Sequence, residues 1–259
     1  MKRILTALVL IPIVSYAVLG ESEVLFLAVL SAVALFCFYE YEGLVTGHGI
    51  ARPGPVGYLL GLAILLLPGR EITPALVALV ALALALRAAN LKNALLQAGA
   101  FALGIFYIFG AWRAAADMRA VSGKWWLLFA LALNWAGDIA AMYAGKTFGK
   151  HKLAPRVSPG KSWEGAIAST IASMIFGAVY GTYLLPATPI YWVILIAAIG
   201  NIAGQTGDLA ESAMKRGAGM KDSGTLLPGH GGWLDRVDSS LFAVPVVWFL
   251  LQWLERFKN

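Results

Sequence analysis

Nine apolar stretches, near residues 4–19, 24–39, 54–68, 74–89, 95–113, 125–145, 163–184, 188–207 and 239–254, leave this chain few ways to fold. Each runs for roughly 16–22 residues, about the length a helix needs to cross the hydrocarbon of a bilayer. With 59% of the 259 residues hydrophobic and 13% charged, the composition argues against a water-soluble core. The expected fold is all-α: a polytopic integral membrane protein with about nine transmembrane helices, forming a single transmembrane domain over residues 1–259.

The opening MKRILTALVLIPIVSYAVLG has the basic start and apolar run of a secretory signal, but no small-x-small cleavage site follows and a second apolar stretch comes at once, so it is expected to be the first span. The lone cysteine, Cys37, falls within the second stretch, which excludes an intrachain disulfide and a multi-cysteine metal site. Nine spans put alternate connections on opposite sides. Of the 20 Lys and Arg residues, 14 fall on one side and 6 on the other. The richer side is expected to be cytoplasmic, with the N-terminus inside and the C-terminus outside. The net charge of +6 is thus accounted for by orientation, and nucleic acid is not an expected partner.

The two halves differ in character. Residues 1–113 carry little polar information, with segments such as ALVALVALALALRAAN close to pure Ala, Leu and Val, and are expected to anchor and pack. Residues 125–254 hold the candidate catalytic half, with polar residues gathered in loops 146–162 and 208–238. Nine of the 34 charged residues fall within 208–238, about twice the density of the chain as a whole.

In NIAGQTGDLAESAMKR, Asn201, Gln205, Asp208, Ser212 and Lys215 recur at helical spacing along one stripe, with Glu211 beside it. Ionisable groups at membrane depth are costly unless paired or hydrated, so such a stripe points to function. Further on, PGHGGWLDRVDS sets Asp235 and Asp238 three residues apart, on one helical face. Together with Asp208 they would make an all-oxygen site suited to Mg²⁺, and zinc is disfavoured for want of cysteine or a second suitably spaced histidine. Gly231 and Gly232 let the backbone approach a ligand, and a helix start favours an anion. Lys215, Arg216, Lys221 and Arg236 add positive charge nearby. Carboxylates for a metal beside cations for phosphates are the equipment of phosphoryl or nucleotidyl transfer.

Alone, the basic run KTFGKHKLAPRVSPGKSWEG would be ordinary positive-inside bias. Ser158, Lys161 and Glu164 add polar groups at the mouth of the seventh span, and a basic rim there would attract an anionic lipid head group. Asp138 follows Asn134 by one helical turn inside an apolar stretch, so its carboxylate should face a hydrated cavity, a cation or a metal. His230, between glycines, could bond a phosphate, act as an acid or shape the loop.

The run from Ser212 through Lys215-Arg216, Lys221-Asp222, His230-Gly231-Gly232 and Asp235-Arg236 to Asp238 resembles the signature of the phosphatidate cytidylyltransferases, or CDP-diacylglycerol synthases. The resemblance extends over about 134–239, taking in the Asp138 context, SPGKSWEG and GDLAES. One departure is Trp233, where that family usually carries a smaller aliphatic residue or phenylalanine, and it bears on loop packing more than on chemistry. The resemblance implies Mg²⁺-dependent conversion of CTP and phosphatidate to CDP-diacylglycerol and diphosphate at the cytoplasmic side of the inner membrane, often by a homodimer. On this footing Asp208, Asp235 and Asp238 are expected as metal ligands, with a second cation such as K⁺ allowed for. Lys215, Arg216, Lys221 and Arg236 are expected on phosphates, with Ser158, Lys161 and Glu164 placing nucleotide or lipid. CTP comes from the resemblance alone, because no short motif here identifies cytosine.

Three rival readings have distinct chemistry. A CDP-archaeol synthase would take an ether lipid, which the spans do not distinguish from an acyl lipid. A CTP-dependent polyprenol kinase shares the hydropathy, although the complete signature argues against it. An ion transporter would distribute paired, interrupted helices over both halves, whereas here the polar content lies in one.

Overall fold

A computed structural model describes residues 12–67, 72–88, 90–227, 229 and 231–256. Its helices are α1 (12–19), α2 (Glu23–Gly47), α3 (Pro55–Leu66), α4 (Thr73–Ala85), α5 (Ala94–Gly104), α6 (Ala111–Val121), α7 (Lys124–Phe148), α8 (Trp163–Leu184), α9 (Ile190–Gly217) and α10 (Leu234–Arg256). A π-helical stretch, Ile105–Gly110, joins α5 to α6, so Leu91–Val121 is one 31-residue element.

Among the described residues six elements are long and apolar enough to cross a membrane: α2, Leu91–Val121, α7, α8, α9 and α10. The all-α membrane fold expected from the sequence is therefore present, but the count of nine is not confirmed among the described residues. α3 and α4 have 12 and 13 residues and rise about 18 and 20 Å, short of a hydrocarbon core of about 30 Å. Half of the first expected span, 4–19, lies outside the described residues. Local chemistry sets several helix starts. The Ser22 side chain accepts from Leu25 N at 3.2 Å, and prolines occupy the first turns of α3 and α4, where a missing N–H costs no helical bond.

The chain forms two compact units. One comprises residues 1–116 and 214–236. Its core mixes aromatic and aliphatic side chains: Phe38, Tyr41, Phe109, Ile105 and Ile108 are fully buried, and Phe38 meets the Tyr58 ring edge-on at 5.0 Å. Tyr41 donates to Ala100 O at 2.7 Å. Glu42, though buried, accepts from Gly54 N and the Tyr58 hydroxyl.

The other unit comprises residues 117–213 and 237–259, with α7 and α8 packed along one another. Phe129, Phe176 and Tyr180 form a ring cluster. Above it runs an uncharged hydrogen-bond network. Asn201 Nδ2 donates to Asn134 Oδ1 and Ser169 Oγ, while Asn201 Oδ1 accepts from Thr170 and, at 2.6 Å, from Gln205. Helices approach closely enough for this because residue 137 is glycine. A Cβ there would stand 2.5 Å from both Asn201 Nδ2 and Ser169 Oγ.

Loop 146–162 is more structured than its sequence suggests. α7 runs on to Phe148, and Lys152–Ala154 (β1) pairs antiparallel with Ser158–Ser162 (β2), Lys152 opposite Ser162 and Ala154 opposite Ser158. This two-stranded hairpin is the one departure from an all-α chain among the described residues. Trp163 N closes its base on His151 O at 2.9 Å, and Ser162 caps α8 by accepting from Gly165 N. The second expected loop is also shorter, because α9 continues to Gly217 and α10 begins at Leu234.

Candidate active site

Each unit holds a cluster of charge, and each is built from elements the sequence singles out. In the unit of residues 117–213 and 237–259, the hairpin strand β2 delivers Lys161 to α9. Its Nζ lies 2.6 Å from Asp208 Oδ2, with both side chains about one-third exposed. They line a pocket of about 230 Å³ with Asp138, Gly160, Gln205 and Ser239, and Asp138 is within electrostatic reach of both. Ser212 Oγ makes a long contact, 3.4 Å, to Asp208 Oδ1, one helical turn away. Asp138, Asp208 and Lys161 thus bring two carboxylates and one ammonium to the same space.

In the unit of residues 1–116 and 214–236, Lys215 and Asp235 meet at 2.5 Å with only 10% and 9% of their side chains exposed. Asp235 Oδ2 also accepts from Ser223 N at 3.0 Å and Gly232 N at 2.8 Å. The turn between α9 and α10 is folded onto this carboxylate. Leu227 N donates to Gly231 O across it, and Gly231 takes a φ of 80°, a conformation glycine adopts without strain. Trp233 stacks on Phe36 with ring centroids 5.4 Å apart, so the unusual tryptophan has a packing partner on α2.

The remaining candidates fall in varied settings. Arg216 Nη1 donates to Met220 O; Lys221, Asp222 and Arg236 are exposed; Glu211 is fully buried. Asp238 Oδ1 accepts from Ser239 N at 2.7 Å. Asn134 belongs to the uncharged network rather than the pocket lining, and Ser158 begins β2. Glu164 turns to His151, its Oε1 2.7 Å from Nδ1, so this carboxylate steadies the hairpin. His230 lies outside the described residues.

Two residues escaped sequence reasoning. Glu40, 2% exposed on α2, accepts from Ser223 Oγ at 3.0 Å and from Leu234 N at 2.9 Å. The signal was available: FYEYEGL carries two acids at the end of an apolar stretch, where an acid needs a reason. Ser223 had none, being one serine in a polar connection.

No group of three or more His, Cys, Asp or Glu that could hold a metal ion is gathered among the described residues. The donor chemistry nevertheless fits Mg²⁺. Carboxylate oxygens suit a hard cation, and Mg²⁺ ordinarily takes one or two of them and completes its shell with waters and substrate phosphates. Asp208 makes one short ion pair and one long contact, which leaves lone pairs for such an ion.

Long apolar helices and a pocket of carboxylates and ammonium define an integral membrane protein equipped to handle charged groups. The chain matches the cytidylyltransferase family over residues 1–254, and belongs to it. It is 40% identical over 129 residues to a phosphatidate cytidylyltransferase of Bacillus subtilis (strain 168), a match covering 50% of this chain and 48% of that one. Proteins of the same name from Haemophilus influenzae (43% over 127 residues, 48% and 44% covered) and Brucella suis biovar 1 (46% over 123 residues, 47% and 45% covered) are similarly related. The chain spans about half the length of the curated relatives it matches.

Proposed function

We propose that this chain is a phosphatidate cytidylyltransferase, converting CTP and phosphatidate to CDP-diacylglycerol and diphosphate. Family membership and the names of the relatives support the reaction. The observation that carries the reading to particular residues is the pocket in which Lys161, Asp208 and Asp138 meet. A phosphate oxygen of phosphatidate bonds to the α-phosphorus of CTP as the bond from that phosphorus to the bridging oxygen breaks, and the electron pair leaves with diphosphate. No protein nucleophile is required, so the chain's task is to place two anions against each other and balance their charge.

Lys161 is suited to that balance because its ammonium already stands among carboxylates at the pocket. Lys215, Arg216, Lys221 and Arg236 are the proposed phosphate contacts. Asp208, Asp235 and Asp238 are the proposed ligands of Mg²⁺, which when bound would neutralise triphosphate and departing diphosphate. A second cation such as K⁺, assembly as a homodimer, and a cytoplasmic site with the N-terminus inside and the C-terminus outside belong to the same proposal. With residues 4–19 counted as a crossing, the shortness of α3 and α4 is compatible with that orientation, because omitting two consecutive crossings leaves every later connection on the same side.

Labelled CTP tests the reaction. Purified protein given phosphatidate should place label from the α-phosphate of CTP in lipid and label from the γ-phosphate in diphosphate. Transfer of the γ-label to lipid would instead identify a kinase. An ether-lipid phosphate run in parallel separates the acyl from the isoprenoid substrate.

A further inference from the structure

Glu40 has the placement of a working residue without a role in the chemistry above. Its carboxylate is buried among apolar helices, a costly position for an ion. Oε2 accepts from the Ser223 hydroxyl and from the N–H of Leu234, the first residue of α10, while Oε1 is buried and has no hydrogen-bond partner among the described residues. The turn presses on this carboxylate at two glycines. A Cβ at Gly224 would stand 2.5 Å from Oε1, and one at Gly232 would collide with Oε2.

The contacts lead from Glu40 to Asp235 by two short routes. Ser223 gives its hydroxyl proton to Glu40, accepts from Asp235 N at 3.3 Å, and gives its own backbone N–H to Asp235 Oδ2. Leu234, held by Glu40, directly precedes Asp235. A side chain on α2 thereby fixes both ends of the turn that carries the Asp235 carboxylate, and with it the partner of Lys215.

We propose that Glu40 is a positioning residue for cytidylyl transfer, holding the 223–234 turn and the Asp235 carboxylate in place through Ser223 and the first amide of α10. The inference rests on the reaction proposed above for its kinetic arm, and Glu40 itself touches no substrate. What the turn needs from Glu40 is an acceptor oxygen. Glu40→Gln keeps one, and Glu40→Ala does not.

The test combines kinetics with hydrogen exchange on the full-length protein in detergent. Glu40→Ala should lower kcat/KM for CTP about tenfold or more, and should speed exchange over 221–236 while 124–184 exchanges as in the wild type. Glu40→Gln should stay within about threefold of wild type, with the turn protected. Adding Ser223→Ala to Glu40→Ala should cost less than Ser223→Ala costs in the wild type, since the bond from the Ser223 hydroxyl to Glu40 is already gone. Unchanged exchange over 221–236, an equal rise in every helix, or full additivity of the two substitutions would overturn the proposal. Should Glu40→Ala fail to fold, Ser223→Ala alone carries the test, with faster exchange over 221–236 expected and unchanged exchange contradicting it. Wild-type protein that makes no CDP-lipid would defeat the enzymatic reading, whereas the exchange arm uses no substrate and decides the clamp separately.

Discussion

Lys161 Nζ and Asp208 Oδ2 lie 2.6 Å apart, joining a hairpin strand to a membrane-length helix at the mouth of a charged pocket. A pair exposed to this degree contributes about 1 kcal/mol or less to stability. A role in charge balance during the reaction would be worth far more. Lys161→Ala is therefore expected to lower turnover about a hundredfold while shifting the thermal midpoint little. A large loss of stability with turnover retained would assign the pair to the fold.

Lys215 and Asp235 are a different case, because both are nearly buried and Asp235 also takes two backbone amides. Removing one member of a buried pair strands the other, at about 3–5 kcal/mol. Lys215→Met should lower the melting temperature in detergent as well as activity. Asp235→Ala should do so more strongly, since Ser223 N and Gly232 N lose their acceptor too. Either variant melting like the wild type would mean that water replaces the lost partner.

Gly137 tests the packing beneath the pocket. Its Cα approaches Asn201 and Ser169 so closely that a methyl would displace both amide and hydroxyl. Gly137→Ala should cost about 1–3 kcal/mol by overpacking. Asn201→Leu should cost a similar amount by stranding Asn134, Ser169 and Thr170 on the facing helices, because hydrogen bonds between membrane helices contribute about 0.6 kcal/mol each. Thermal unfolding of both variants in one detergent checks the comparison, and a neutral Gly137→Ala would show that the helices can separate without loss.

The sequence made the helices legible because an apolar run of membrane length has one stable backbone solution, and because glycine and proline mark its ends. The polar stripe of α9 was visible for the same reason. Its partition was not: Asn201 and Gln205 enter an uncharged network, Asp208 meets Lys161, and Lys215 meets Asp235. Spacing puts residues on a face without naming what lies opposite. The hairpin went unread because its strands, three and five residues long, show no alternation that a burial pattern could imprint. α3 and α4 read as spans because their apolar runs continue past the residues that are helical. Glu40 fell just beyond the stretch taken as the second span, although α2 continues to Gly47.

Central to the whole account is Asp208, the acid that α9 sets in the pocket beside Lys161 and Asp138. The most direct measurement is CDP-lipid formation from α-labelled CTP and phosphatidate by purified wild-type and Asp208→Asn proteins, with Mg²⁺ present or chelated. Mg²⁺-dependent synthesis by the wild type is predicted, together with a loss of about a hundredfold or more in the variant. Synthesis undiminished by the substitution, or wild-type protein that leaves the lipid unlabelled, would contradict it.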